Sequence, residues 1–398
     1  MLRSVAVVGA GISGLTAGYA LKKIGLEVDV FERSDSVIEF GAGITLSRNA
    51  TSLLDDLGLL ETLSERGCFP MGSYIRDYKN ANIINAMSFD ESFIALDRRD
   101  LVEQLVKKLN EEGVEINFDT KIQSINPSTG EIKFSDEVEQ GYDLILLCDG
   151  INSSFRKEHF DNCEPQFTNY VAWRGMVASD KLPQFEGSEK VNVYHGPGGH
   201  CVHYPTGREG LINFVAIEYN PSWAEESWKV EGSKSDFLEC FKGWNEELLS
   251  MLNSTEVLYK WGIFERPLPG ALYKDKCILL GDAAHPMVPF LGQGGCLAIE
   301  DAYCLMVLLN KVEDLDEVLN TYDKMRNKRA RRIQKRSKLQ GLFNHVSNPF
   351  LVPIRNLVTK SSMKMSVENI HSYSLNNCLL YTSPSPRDQR GSRMPSSA

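Results

Sequence analysis

Apolar residues fill Ser4 to Val8 almost without a break, the pattern of a strand buried on both faces. From Ser13 the interval changes. Leu15, Ala17, Ala20, Leu21 and Ile24 recur on one helical face, and Gly25 closes the stretch. Glu27 to Phe31 then alternates, with Val28 and Val30 on one side. Strand, helix and strand within ~30 residues is the unit from which a parallel sheet grows.

The same logic predicts a helix over 50–66 and another over Asp100 to Glu112, where Leu101, Leu105, Val106 and Leu109 share a face. Tyr142 to Leu147 and Lys276 to Leu280 are short apolar runs, each read as a buried strand. A long helix through Leu309 follows the second, and 316–345 reads as a charged helix. Between Gln166 and Tyr219 helical periodicity fades. Aromatic, Val-rich segments punctuated by Gly and Pro predict a mixed or antiparallel sheet there. The fold class is therefore α/β. A discontinuous Rossmann-like domain is expected from 1–70, 95–165 and 270–345, with an inserted β-sheet substrate domain from 71–94 and 166–269 and a helical remainder over 346–377.

Composition adjusts this picture at the edges. The chain has 398 residues, enough for two interlocked domains. A net charge of −10 argues against nucleic acid, whose phosphates need a basic surface. The basic run Lys324 to Lys338 falls in the charged helix and reads as a solvated face. Nine cysteines without Cys-x-x-Cys spacing offer no metal site and no disulfide framework, so reduced thiols in the cytoplasm are expected. No apolar run approaches ~18 residues, so no stable membrane insertion is expected. Residues 378–398 stand apart, because Cys378-Leu-Leu-Tyr-Thr-Ser-Pro-Ser-Pro-Arg-Asp388 back-translates to a transposase-type sequencing adapter. On that reading the tail is disordered and the native C-terminus is missing.

Gly9-Ala10-Gly11-Ile12-Ser13-Gly14 joins the first strand to the first helix. Gly9 permits the tight turn, Gly11 lets backbone approach a pyrophosphate, and Gly14 allows close helix–strand packing. The helix N-terminus adds free N–H groups and the positive end of a dipole. Glu32 ends the second strand 18 residues beyond Gly14, where a carboxylate accepts from ribose hydroxyls and would repel a 2′-phosphate. Dinucleotide binding is expected here, with Ser13 and Arg33 beside it.

Gly281-Asp282 follows a predicted strand and precedes Pro289-Phe290-Leu291-Gly292-Gln293-Gly294-Gly295. A strand-end carboxylate can hold a polyol hydroxyl, and a glycine run opening a helix can bring N–H groups to the edge of an electron-rich ring. Asp149-Gly150, with Ser153 and Arg156 after it, is a third strand-end acid and turn. In this order the motifs resemble those of the single-component FAD-dependent aromatic hydroxylases, the family of p-hydroxybenzoate hydroxylase, and most nearly its salicylate hydroxylase-like branch. The resemblance covers about 1–345 and extends to Gly41-Ala42-Gly43-Ile44 and Arg98-x-x-Leu101. It implies bound FAD, NADH or NADPH as a transient co-substrate, O2, and hydroxylation of a small aromatic or heteroaromatic acid through a flavin hydroperoxide. It implies Glu32 on the adenosine ribose and Arg98 along the diphosphate and ribityl chain. Asp149 would serve FAD and NAD(P)H, and Asp282 the ribityl or pyrophosphate region. Pro289, Gly292, Gln293, Gly294 and Gly295 would line the isoalloxazine. A monomer or homodimer is expected.

The stretch Gly196 to Pro205 is the most informative part of the middle region. As a strand it puts His200, Val202 and Tyr204 on one face and His203 on the other. His200 is expected to take a phenol proton and Tyr204 to contact the substrate, with His203 as the alternative base. Trp173-Arg174-Gly175 either shapes the pocket or is a packed strand with an exposed arginine. His285 beside Pro286 reads as structural. Two other classes stay open: an FAD-dependent epoxidase or urate-type hydroxylase on the same scaffold, and a non-catalytic flavoprotein.

Overall fold

The computed structural model describes residues 2–37, 42–135, 137–181, 187–207, 210–223, 225 and 230–380. Its first sheet runs Tyr273–Lys274, Cys277–Leu279, Leu144–Leu147, Ser4–Val8, Glu27–Phe31, Ile116–Asn117. Only the first pairing is antiparallel. Val5 pairs with Leu144 and Ile145 with Cys277, so three distant segments supply the central strands. These strands are apolar throughout because helices cover the sheet, and Ile12–Lys23 packs against Gly294–Lys311 and Arg98–Glu111. The single helix expected over 50–66 is two, Arg48–Asp56 and Leu60–Arg66. Gly58 separates them at φ +75°, a left-handed backbone that stops the first helix.

The second sheet has seven strands in the order Leu258–Glu265, Gln166–Ala178, Leu211–Tyr219, Gly199–Pro205, Val191–Gly196, Gly72–Asp77, Ile83–Ser88. It is mixed, since Val191–Gly196 and Gly72–Asp77 run parallel. Alternation along each strand divides its side chains between two faces. Trp173, Tyr194, Cys201 and Phe214 point back into a core closed by Phe237, Phe241 and Leu248 of two short helices. Ala172, Ile217 and Trp261 point forward onto Val288 and Phe290, and Tyr204 and Val191 onto Phe93 and Ala95. The front face therefore abuts segments that belong to the first sheet's neighbourhood.

Residues 378–380 end the helix Leu375–Leu380, and 381–398 lie outside the described residues. The expected solvated face over Lys324 to Lys338 holds only in part. Arg326 and Arg329 on the helix Leu315–Asn344 are buried. Arg326 bridges Glu300 at 2.7 Å and Asp301 at 2.6 Å, and Arg329 bridges Glu300 at 2.9 Å. Burial opposes the charged form of both carboxylates, but Arg326 and Arg329 hold Glu300 in it, and His285 and Arg326 hold Asp301. Helical spacing alone could not tell these two cations from the exposed ones around them.

Two stability predictions follow from buried charge. Arg326→Met removes the cation that two buried carboxylates share, so urea denaturation should show a loss of about 3–5 kcal/mol. An unchanged midpoint would contradict the network's role. Burial also pushes His195 and His203 down to about 3, and His345 and His371 to about 4. Each is neutral when folded and takes up a proton on unfolding below about pH 6.5. The stability they carry is complete above that pH and is lost as the pH falls toward 4. His203→Phe should flatten this acid limb by one proton, about 1.4 kcal/mol per pH unit. A slope equal to that of the parent chain would refute the assignment.

Candidate active site

The three glycine-and-acid motifs meet at the C-terminal ends of the central strands. Gly9 has φ +103°, and a Cβ there would lie 2.6 Å from the Cys148 carbonyl oxygen. A Cβ on Gly14 would lie 1.9 Å from the Gly9 carbonyl oxygen. Gly281 has φ +58°, and its Cβ would meet that of Ser13 at 2.7 Å. Ser13 also donates to Cys148 Sγ at 3.7 Å. The Gly9, Asp149 and Asp282 turns thus touch one another through positions where only glycine fits. Arg156 clamps the same junction, with Nη1 donating to the carbonyls of Ala283 and Ala284 at 3.0 Å each.

Within this cluster some positions face open space. A Cβ on Gly11 or Gly294 would meet no protein atom within 4 Å. Each lies at the start of a helix, Ile12–Lys23 or Gly294–Lys311, whose first turn carries no acid. Two positive helix ends are therefore open to an anion or an electron-rich ring. Glu32 accepts from Ala10 N at 2.8 Å and Ser34 N at 2.9 Å, which fastens the phosphate loop to the second strand. Burial raises the Asp149 carboxyl to about 6, with Arg33 among the charges that oppose this. Its Oδ1 is buried without a hydrogen-bond partner. Asp282 keeps accessible surface, yet the protein packed around it raises its carboxyl by desolvation, which His285 and Arg98 partly oppose. Arg98 N donates to Ala42 O at 2.8 Å, which holds the start of its helix to the segment before Gly43. A buried acid with one orphaned oxygen, an accessible acid near an arginine and two glycine positions open at Cβ fit a dinucleotide cofactor.

The second half of the flavin motif behaves differently. Gly292 takes a left-handed φ of +62°. Gln293 turns its side chain inward, donating to Ser47 Oγ at 3.1 Å and accepting from Asn49 Nδ2 at 3.0 Å. Only its backbone is left to face a ring. Gly295 closes on Ile44, where a Cβ would lie 2.8 Å from Cδ1. Pro289 is exposed, and its carbonyl caps Gly292 N at 2.9 Å. Gly41 lies outside the described residues. Gly43 N donates to Asn213 Oδ1 at 2.8 Å, and a Cβ on Gly43 would lie 2.8 Å from Tyr204 Cε2. Gly43 therefore lets the strand Gly43–Leu46 press against the front of the second sheet.

That front face carries His200 and Tyr204. Both are buried, with His200 edge-on to Phe290 at 5.5 Å between ring centroids. His200 Nδ1 lies 2.6 Å from His345 Nε2, leaving Nε2 of His200 as its other ring nitrogen. Burial lowers the His200 pKa well below its ordinary value, so the ring is neutral. His203 points to the back and stacks on Tyr194, which removes it as the alternative base. Arg174 corrects an expectation. It is buried, not exposed, and packs over Trp261 and Tyr259 at 5.2 and 5.5 Å. Trp173 lies behind it, on the opposite face. His285 Nε2 lies 2.6 Å from Asp301 Oδ2 and is structural. Asn213, Phe290 and His345 were missed from sequence. The pairing of Tyr204 with Asn213 places the first, but no local motif marks it.

The open glycines generate a prediction. Gly11→Val should fold, since its Cβ meets no protein atom within 4 Å, yet retain roughly tenfold less flavin at 450 nm. Gly14→Val should lose the fold itself. Full flavin retention by Gly11→Val would place the phosphates elsewhere.

The sequence pattern of the FAD binding domain family spans residues 3–337. The chain is 31% identical over 346 residues to 3-amino-4-hydroxybenzoate 2-monooxygenase PtmB3 of Streptomyces platensis, with 85% of this chain and 87% of that protein covered. It is 30% identical over 380 residues to a salicylate hydroxylase of Pseudomonas putida, with 87% and 86% covered. Its fold matches a salicylate hydroxylase substrate complex with a TM-score of 0.82 at 24% identity, over 97% of this chain and 99% of that one. It also matches Klebsiella pneumoniae HpxO complexed with FAD and uric acid, with a TM-score of 0.81 at 20% identity over 93% and 96%. Family, fold and cofactor cradle agree: the chain belongs to the FAD-dependent aromatic hydroxylases of the FAD binding domain family and is an FAD-dependent monooxygenase.

Proposed function

We propose that the enzyme hydroxylates a small phenolic or heteroaromatic acid, with NADH or NADPH as reductant and O2 as oxidant. The observation that carries this reading is the placement of His200, buried edge-on to Phe290 of the flavin loop, held at Nδ1 by His345 and four residues from Tyr204. The relatives' names supply the substrate class, since both act on or are named for hydroxybenzoates.

Bound FAD supplies hydride acceptance and oxygen activation. The chain's residues supply the rest. Gly9 to Gly14 and the following helix end would hold the diphosphate, and Glu32 the adenosine ribose. Arg98 and Asp282 would flank the ribityl chain, with Asp149 and Arg33 at the phosphate side. The backbone of Gly292 to Gly295, with Pro289, would line the ring. Phe290 and Val202 present apolar surface that excludes water from the reacting edge. His200 takes the substrate hydroxyl proton at Nε2, which raises electron density on the ring. Its Nδ1 is engaged by His345, so the imidazole cannot swing away. Tyr204 contacts the substrate from the same strand face. We place the enzyme in the cytoplasm, because its cysteines follow no disulfide-framework spacing.

A panel of aromatic acids should include some that both stimulate NAD(P)H oxidation and yield a hydroxylated product. Oxidation without product for every acid would overturn the reading. His200→Gln should slow turnover by about 10²–10⁴-fold while the protein stays yellow. Undiminished turnover would remove His200 as the base.

A further inference from the structure

From Lys324 to Val367 the chain carries 12 Lys and Arg and no Asp or Glu across 44 residues, although its net charge is −10. Arg326 and Arg329 are spent on the buried network, but most of the rest reach the surface. Lys324, Lys328, Arg331, Lys335 and Lys338 are all exposed and recur every three or four residues, one stripe of the helix Leu315–Asn344. The stripe then changes character. Leu342, next on the same face, is 65% exposed, with Leu339 and Phe343 beside it also exposed. Past the helix end, Phe350 is 87% exposed and Ile354 58%. The helix Val352–His371 packs on Ile83–Ser88 and Arg48–Asp56 and meets the helix Leu315–Asn344 at its far end, where Arg329 donates to the Ile370 carbonyl at 3.2 Å. The apolar residues therefore crowd the connection between the two helices, and the cations run away from it along the first.

We infer that this helical connection docks on an anionic lipid bilayer, with the apolar residues entering the interface and the basic stripe lying against the headgroups. No described helix is long and apolar enough to cross a membrane, so the contact is peripheral. An apolar patch of this kind on a monomer marks an interaction site. Charge decides between occupants. A symmetric contact between two copies would bring the same patch onto itself. It would face one basic stripe with another, and Glu265, which could offset part of it, is already paired with Lys338 at 2.8 Å. An anionic bilayer complements both features at once, apolar surface and cations, with each cation near the headgroups adding to the affinity.

The test uses the FAD-loaded full chain and vesicle co-sedimentation. Vesicles of phosphatidylcholine with about 30% phosphatidylglycerol should carry the protein down at low salt, and phosphatidylcholine alone should not. Added salt should release it, because exposed charges are screened. Lys328→Glu with Lys335→Glu should weaken binding roughly fivefold or more per reversed cation. Leu342→Asp with Phe350→Asp should abolish it, with flavin content and turnover unchanged in both variants. Equal binding to neutral and anionic vesicles, or binding to neither, overturns the inference. So does a dimer in sedimentation equilibrium that Leu342→Asp dissociates, which would assign the patch to a second copy.

Discussion

Two adjacent carboxylates in the middle of one buried helix, Glu300 and Asp301, hold the site together. Neither can stay charged away from water without partners, so every oxygen is committed. Asp301 accepts from Gly281 N at 3.0 Å and pairs with His285 and Arg326. Glu300 accepts from Asn49 at 2.7 Å and pairs with Arg326 and Arg329. Asn49 in turn holds Gln293. One network thus positions the Asp282 turn, the glycine run, the strand-to-helix corner at Ser47 and the long C-terminal helix. Its worth lies in placement more than in net stability, since desolvating four charges offsets most of their attraction.

Placement matters because the cradle is made of backbone. Gly9, Gly14 and Gly281 sit where a Cβ would already strike a neighbouring loop, and Gly11 and Gly294 sit where it would not. The first set packs three turns into contact. The second leaves room for what those turns hold. A shift of one ångström in the Asp282 turn would close that room or open the packing, and the ion network prevents it.

The second sheet adds the reacting edge. Its back face is an ordinary apolar core under two short helices, and its front face is where titratable groups gather. His195, His200 and His345 are all driven neutral by burial. The His345 carbonyl accepts from Gly198 N at 3.2 Å, so the end of the long helix is fastened to the hairpin that carries His200. The same helix therefore contributes Arg326 to the network beneath the cradle and His345 to the face above it.

The sequence by itself determined the strand–helix–strand start, the buried parallel strands, the three glycine-and-acid turns and the alternation that puts His200 beside Tyr204. Each is a local pattern, set by periodicity or by the need for glycine at one φ. It did not determine which cations of the basic run go inside, because Arg326 and Lys328 look alike until Glu300 and Asp301 arrive from a segment 25 or more residues away. Nor did it reveal Asn213, Phe290 or His345, or that Arg174 is wrapped by Trp261 and Tyr259. These are encounters between distant segments, and only the packing of the two sheets against one another brings them within reach.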